Sequence, residues 1–441
     1  MKKILVLGAG RSSSALISYL IKNGAAGDWR VTVGDFSKVA AQERIGSSPL
    51  AEAIAFNIEH VEESTNAIRK ADVVISLIPA ALHPLVAKIC LAEGKHLLTA
   101  SYVSEEMKRF DTEAKLKGLL FLNECGLDPG IDHMSAMQVM DKIKSEGGTI
   151  TSFESFTGGL IAPETDPDNP WRYKFTWNPR NVVLAGQGTA KYLQDGKFKY
   201  IPYQQLFQRT TPIAVPGFGE YEGYANRDSL KYVEVYGLQE CKTVLRGTLR
   251  NKGYCSTWNV LAQLGCCDDS YVMDGIGEMS HLDFISSFLD SGKKAEDEIC
   301  RRFSISSSGE EMKRLTWSGF FSQEKIGLAR ATPAQALEHI LNKRWKLKAG
   351  DKDFIVMWHR FRYQLQGKEK EIQAWLTATG DDEIQTAMAK TVGLPVAIAA
   401  KLLLQNKISK KGVTIPVASE IYSPILDELK ILGIGLQERH F

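Results

Sequence analysis

The sequence predicts an α/β protein: strands and helices alternate through the N-terminal third, a mixed sheet follows, and a mostly helical stretch lies behind it. Three observations predict this. The first twenty residues read as strand, glycine turn and helix. Short apolar runs then recur between helix-period stretches as far as Leu122. Beyond residue 125 the period shifts toward alternation, with long loops between the segments.

Taken in order, Ile4-Leu5-Val6-Leu7 is a strand that ends directly in Gly8-Ala9-Gly10-Arg11-Ser12-Ser13-Ser14. Ala15, Leu16, Tyr19 and Leu20 follow at helix spacing. Gly8 permits a tight turn and Gly10 the close approach of a pyrophosphate to backbone. The helix start presents N–H groups and its positive end to the phosphates. Ser12 to Ser14 add hydroxyls there, with Ser13 standing where the usual fingerprint has its third glycine. Val31-Thr32-Val33 is a second strand, and Asp35 lies just past it. A carboxylate there accepts from the adenosine ribose 2′-OH and repels a 2′-phosphate, which favours NAD over NADP. Lys38 and Arg44 would weaken that preference. Val73 to Pro79 (which includes Ile78), Leu97 to Ala100 and Leu119 to Leu122 are further buried strands. Helices are expected around 64–70, 83–93 and 104–116. Such alternation argues a parallel sheet with helices on both faces, as in a dinucleotide-binding domain.

Segments 150–160, 231–237, 243–248 and 353–365 read as strands, separated by loops such as Thr165 to Asn181 and Pro212 to Asp228. From about 256 to 345 the signals are mostly helical. Thr332-Pro333 is an N-cap followed by proline in the first turn. Lys390 to Gln405 and Ser423 to Ile431 are helices, and Val413 opens an extended stretch.

Composition excludes several classes. With 441 residues, 44% hydrophobic and 24% charged, the chain has ordinary globular proportions and length for two or three domains. A net charge of +2 argues against a nucleic-acid groove. The longest charge-free apolar run considered, Val73 to Ala87, is too short to span a bilayer, and Met1-Lys2-Lys3 opens no secretory leader. No nucleic-acid or membrane partner is therefore expected. Seven cysteines, an odd number without a C-x-x-C pair, read as reduced thiols in a cytoplasmic protein, and no metal is expected. Walker A, H-E-x-x-H and G-x-S-x-G motifs are absent from the sequence.

Two loops after strands could meet a substrate: Thr99-Ala100-Ser101-Tyr102-Val103, and Asn123 through His133. In the second, Asp128 serves equally well as a turn former or as an active-site carboxylate. His133 opens an apolar helix and reads as a cap or core residue. Arg227 and Arg250 lie in Gly-rich stretches; each is a surface arginine by default and a carboxylate clamp by chemistry. Trp171, Tyr173, Phe175 and Trp177 could wall a pocket, and by default they are packing.

Together these strings resemble the saccharopine dehydrogenase family, L-glutamate-forming. The resemblance covers nearly the whole chain. It rests on Gly126-Leu127-Asp128-Pro129-Gly130-Ile131-Asp132-His133, Tyr173 through Asn181, Asn226-Arg227-Asp228-Ser229, Arg246-Gly247-Thr248-Leu249-Arg250 and Lys411-Gly412-Val413. It implies three parts: an N-terminal Rossmann dinucleotide-binding domain, a mixed α+β substrate and dimerisation domain, and an inserted helical domain. The expected boundaries are 1–125 for the first, 126–255 and 351–405 for the second and 256–350 for the insertion, with 406–441 packing back on the Rossmann domain.

The implied reaction belongs to lysine metabolism. Saccharopine, NAD(P)⁺ and water give L-glutamate, 2-aminoadipate 6-semialdehyde and NAD(P)H, reversibly, in what would be a homodimer. By motif, Ser101, Tyr102, Asp128, Arg227, Thr248, Leu249, Arg250 and Trp177 would meet substrate. Gly8, Gly10, Ser12, Ser13, Asp35, Ile78, Ser101, Leu127, Asp128 and Pro129 would meet the cofactor, NAD with NADP as the alternative. Asp128 is the candidate acid–base group. One departure is Thr157-Gly158-Gly159-Leu160, where the family pattern has Cys-Gly-Gly-Leu, so no thiol can act there. The alternative is a related dehydrogenase of another secondary amine, such as a carboxyspermidine-type substrate, which needs fewer carboxylate clamps.

Overall fold

The computed structural model describes residues 1–290 and 292–441. The chain divides into two compact units, Met1–Glu146 with Gly380–Leu436, and Gly147–Thr379 with Gln437–Phe441.

The first unit holds β1 (Lys2–Leu7), β2 (Trp29–Asp35), β3 (Ala51–Ala55), β4 (Val73–Ser76), β5 (His96–Thr99) and β6 (Leu120–Leu122). With Gly412–Thr414 they form a seven-stranded sheet in the order β3-β2-β1-β4-β5-β6 and then the late strand, parallel at every pairing. This is the doubly wound order, whose direction reverses between β1 and β4. Leu5 and Leu7 pack on Val86, Ala87 and Cys90 from one covering helix, while Ile4 and Val6 turn to the other buried face. β3 was not anticipated. It is an edge strand with only Ala53 buried, so it carries no apolar run to betray it.

The expected domain limits differ from the observed ones at three places. Helix Ile131–Ser145 belongs to the first unit, so the boundary falls at 146. Helix Ala387–Leu404, expected with the substrate domain, also belongs there. Its Gly393 lies against helix Ser14–Lys22 so closely that a Cβ would stand 2.9 Å from Leu16 Cβ and 3.2 Å from the Ser12 carbonyl. The final strand, Gln437–His440, pairs within the second unit. Helix Ala387–Leu404 has the length and hydropathy to cross a bilayer, yet most of it is buried in the first unit.

The second unit holds β7 (Thr149–Ile161), β8 (Ala190–Gln194), β9 (Lys197–Ile201), β10 (Thr210–Val215), β11 (Gly219–Ala225), β12 (Thr243–Asn251), β13 (Asp353–Leu365) and β14 (Lys368–Thr379). The sheet runs β10-β11-β12-β7-β13-β14 and ends in Gln437–His440. Only the β12–β7 pairing is parallel along that path, so the sheet is mixed.

Two expectations fail here. Residues 231–237 are not a strand: Asp228 caps a helical turn through the Leu230 N–H, and Tyr232–Val235 continues it. Pro212 to Asp228 is not a loop but largely the β10–β11 hairpin. Two further hairpins carried readable turns. Asp195-Gly196 and Gln366-Gly367 both adopt positive φ, as a two-residue hairpin turn requires.

Helices from Tyr254 to Trp345 fill the rest of this unit. Thr332 caps the last of them, reciprocated by Gln335 in a capping box. Trp171, Tyr173 and Phe175 are fully buried and meet Trp345 edge-on, with centroids 5.1, 4.8 and 5.1 Å away, so these three are core rather than pocket wall. Beside them the buried Lys174 ammonium is neutralised by Asp166 at 2.9 Å and Asp351 at 2.7 Å. All seven cysteines are free.

Candidate active site

In the first unit the expected residues collect at the carboxyl ends of β1, β2, β4, β5 and β6, the edge where a doubly wound sheet binds ligands. Gly8 follows β1 at φ +105°, and a Cβ on it would stand 3.1 Å from the Leu77 carbonyl group, so only glycine suits. Gly8 N–H donates to the Gly34 carbonyl and Leu77 N–H to Leu7, which knit the three strand ends together. Gly10 faces open space, with nothing within 4 Å of a would-be Cβ. A ledge of bare backbone ahead of a helix start fits a pyrophosphate.

The serines divide their work. Ser13 is buried and donates to the Gly10 carbonyl at 2.8 Å, and Ser14 donates to the Ile384 carbonyl at 2.8 Å. Their hydroxyls hold the turn rather than a phosphate, which corrects the expectation for Ser13. Ser12 remains half-buried beside them. Asp35 accepts from Ala9 N–H at 2.7 Å through Oδ2 and from Ser37 N–H at 2.9 Å through Oδ1. It thus ties the end of β2 to the glycine turn. Arg44 Nε donates to the Ala9 carbonyl at 3.2 Å. Ile78 is half-buried just after β4.

After β5, Ser101 Oγ lies 2.8 Å from His83 Nε2, and Tyr102 donates its phenol to Asp128 Oδ1 at 3.2 Å. After β6 the chain makes a tight turn through a cis Asp128–Pro129 bond. Gly126 N–H donates to the Pro129 carbonyl, and Ile131 N–H returns to Gly126. Gly130 sits at φ +148°, where a Cβ would stand 2.0 Å from the Gly126 oxygen. Leu127 and Pro129 are buried in this turn, while Asp128 is half-exposed. Asp128 is therefore both a turn residue and an accessible carboxylate.

Sequence reasoning missed the residues that brace these loops. Glu124 is buried and accepts from Val103 N–H at 3.0 Å. Its other oxygen meets His133 Nε2 at 2.8 Å, and Asp132 lies 3.6 Å from His133 Nδ1. His133 is a buried core residue, as one of the two sequence readings had it. His83 is also buried, which pushes its pKa down to about 4. It opens an apolar helix, where a histidine gives no outward signal.

In the second unit Thr248 and Arg250 share one face of β12, and Leu249 takes the other. Leu249 is wholly buried against Gly158, so its side chain is core, a correction to its expected substrate contact. Thr157 is paired in register with Thr248, and its buried hydroxyl has no hydrogen-bond partner. Arg250 is buried, with its guanidinium 5.1 Å from the Tyr173 ring and 5.2 Å from the Tyr254 ring. Its Nη1 donates to the Leu249 carbonyl, and its Nε has no partner. Among the described residues no carboxylate pairs with it. Burial raises the pKa of the Tyr173, Tyr224 and Tyr254 phenols, that of Tyr254 the most, so they stay neutral around this cation. Arg227 is exposed after β11 in a left-handed conformation, and Trp177 is half-buried in its loop. Among the described residues no cluster of metal-ligating side chains forms.

Fold and residues together define a dinucleotide-binding α/β protein with a second, mixed-sheet unit that carries a buried, anion-seeking arginine. Comparison with known proteins narrows that class. Residues 4–122 match the family model described as the saccharopine dehydrogenase NADP binding domain, and residues 126–434 match the saccharopine dehydrogenase C-terminal domain. The chain belongs to the saccharopine dehydrogenase family.

It is 35% identical, over 98% of its length, to the mitochondrial alpha-aminoadipic semialdehyde synthase of Bos taurus, of which it covers 47%. The chain thus spans about half the length of the mammalian relatives it matches. It is 31% identical to the saccharopine dehydrogenase [NADP(+), L-glutamate-forming] of Schizosaccharomyces pombe, covering 99% of each chain. The structure of apo saccharopine dehydrogenase (L-Glu forming) from Saccharomyces cerevisiae superposes with a TM-score of 0.88 at 31% identity, covering 100% of both chains. These names speak for NADP(H) and lend no support to the NAD preference expected from Asp35.

Proposed function

We propose that this chain catalyses the reversible oxidation of saccharopine at its secondary amine, giving L-glutamate and 2-aminoadipate 6-semialdehyde. The observation that carries the reading is Arg250, a buried cation without a carboxylate partner among the described residues. It stands in a chain that matches fungal L-glutamate-forming enzymes end to end. A tricarboxylate substrate supplies the missing anion, and the exposed Arg227 takes a second carboxylate.

The glycine turn, Gly8 to Ser12, would hold the pyrophosphate of the dinucleotide, with Asp35 at the ribose. When bound, the nicotinamide accepts a hydride from the carbon beside the amine. The chain's own residues align and protonate. Ser101 and Tyr102 orient the substrate at the end of β5. Tyr102 donates to Asp128 Oδ1, which fixes that carboxylate where it binds the substrate ammonium or takes the proton released when water adds. Thr157 and Thr248 offer hydroxyls in place of a thiol.

For the dinucleotide we propose NAD. The Asp35 carboxylate is fixed by two backbone N–H groups at the end of β2, and a 2′-phosphate there would meet its charge. The relatives' names favour NADP, so the two cofactors must be compared directly. Purified protein with saccharopine should produce reduced nicotinamide faster with NAD⁺ than with NADP⁺, and Asp35→Ser should narrow the gap. Turnover with NADP⁺ alone would keep the reaction and sink the Asp35 reading. No turnover with either, in protein that binds a dinucleotide, would sink the saccharopine assignment.

A further inference from the structure

Four side chains form a continuous hydrogen-bonded chain across the carboxyl ends of β4 and β5. Ser76 is the last residue of β4 and Thr99 the last of β5. His83 Nδ1 lies 2.9 Å from Ser76 Oγ. On its other side, His83 Nε2 lies 2.8 Å from Ser101 Oγ and 3.2 Å from Thr99 Oγ1. Thr99 Oγ1 also accepts from Ser101 N–H at 3.2 Å, so Ser101 is gripped at both backbone and side chain. Ser76 and Thr99 are buried to within 1% and His83 to within 3% of full, whereas Ser101 is half-exposed at the edge of the group.

Burial keeps the ring uncharged, with its pKa down at about 4. A neutral imidazole has one N–H and one lone pair, so it can donate on one side and accept on the other. The ring is pinned at both nitrogens and cannot flip without breaking two bonds at once. A serine at a strand end otherwise samples three rotamers. Here one of them is selected before any ligand arrives, and the remaining hydroxyl capacity of Ser101 points away from His83.

We propose that His83 is a positioning residue: it holds the Ser101 hydroxyl in the orientation in which Ser101 meets the nicotinamide and the reacting carbon of the substrate. This rests on the function proposed above. Ser101 does the touching, and His83 acts only through it. The ring takes no proton in the reaction, because at neutral pH its lone pair is already engaged and its protonation lies far below.

The test compares His83→Leu with His83→Gln, whose amide can still reach Ser101, each in wild-type and in Ser101→Ala backgrounds. Steady-state oxidation of saccharopine and equilibrium binding of NADH (by quenching of tryptophan fluorescence) are both measured. His83→Leu should lower kcat about tenfold or more while the saccharopine KM moves less than about threefold, and Gln should recover most of the loss. In the Ser101→Ala background His83→Leu should add less than about twofold, since its effect runs through the missing hydroxyl. NADH binding should weaken about threefold with Leu and return with Gln.

Equal losses in both backgrounds, or Gln no better than Leu, would overturn the proposal. If wild-type protein binds NADH but leaves saccharopine untouched, the function fails separately; the binding comparison then decides His83, with unchanged affinity counting against it. If His83→Leu does not fold, Ser76→Ala, which loosens only the Nδ1 side, should show the same direction of loss, and no loss there overturns the proposal.

Discussion

Glu124 and His133 meet at 2.8 Å through Oε2 and Nε2, with both side chains buried, and the other Glu124 oxygen holds Val103 N–H. One carboxylate therefore fixes the loop after β5 to the helix that follows the Asp128 turn. Removing it leaves a buried imidazole and the half-buried Val103 N–H without that partner. Glu124→Ala should destabilise the protein by about 3 kcal/mol, and Glu124→Gln by clearly less, since an amide oxygen can still accept from Val103. Urea unfolding of both variants measures this; equal, sub-kilocalorie changes would contradict it.

Two glycines in the same unit should part company when each becomes alanine. At Gly130 the methyl would collide with the Gly126 backbone, so Gly130→Ala should unfold at much lower temperature or fail to express. At Gly10 the methyl enters open space, so Gly10→Ala should keep its Tm within a few degrees. It should nonetheless weaken NADH binding about tenfold or more, because the methyl occupies the ledge where a pyrophosphate approaches. Thermal melts beside a binding titration separate the two effects.

At Arg250 the proposed function and stability should pull in opposite directions. A buried guanidinium with no carboxylate costs desolvation in the free protein. Arg250→Met keeps volume and discards the charge, so the free protein should be as stable as wild type or more so. Saccharopine KM should rise about tenfold to a hundredfold, the worth of a charge-assisted contact. A fall in Tm with an unmoved KM would show that Arg250 is structural.

Acid should loosen the first unit before it reaches ordinary carboxylate chemistry. Burial lowers the His83 pKa from 6.5 to about 4. The unfolded chain therefore binds that proton at higher pH than the folded one. The contribution is fully present above about pH 6.5 and is lost as pH falls toward 4, on the order of 3 kcal/mol in all. His96, held near 4 by burial and by Lys411 and accepting from Leu120 N–H, acts in the same window and direction. Urea midpoints between pH 7 and 4.5 should fall, and less steeply in His83→Gln.

The first unit was largely legible because β1, β4, β5 and β6 carry short apolar runs beside turn or helix signals, and β2 a Val-Thr-Val stretch just ahead of Asp35. The second was half legible. β7, β12 and β13 carry enough apolar and β-branched residues to read as strands, whereas β14 opens Lys-Glu-Lys-Glu and hides its pattern until Ile372. Residues 231–237 alternate like a strand, but Asp228 caps them into a helix. At the candidate site, the residues proposed to meet ligands lie in short turn-rich strings, which is what singled them out. His83, Glu124 and Asp132 could not, since their importance lies in partners distant in sequence. Leu249 was mistaken for a contact because it sits between Thr248 and Arg250, and strand alternation sends it to the opposite face.

Gly393 against Leu16, and Gly412–Thr414 beside β6, mean that the cofactor unit is stitched from both ends of the chain. During synthesis, β1 to β6 leave the ribosome long before their last strand and covering helix exist. At ordinary elongation rates that interval is on the order of tens of seconds. Throughout it one flank of the nascent sheet and the apolar side of helix Ser14–Lys22 stay bare. The intervening mixed-sheet unit, lacking only its edge strand Gln437–His440, can complete most of its own folding in the meantime, so the unit begun first stays open throughout its neighbour's synthesis.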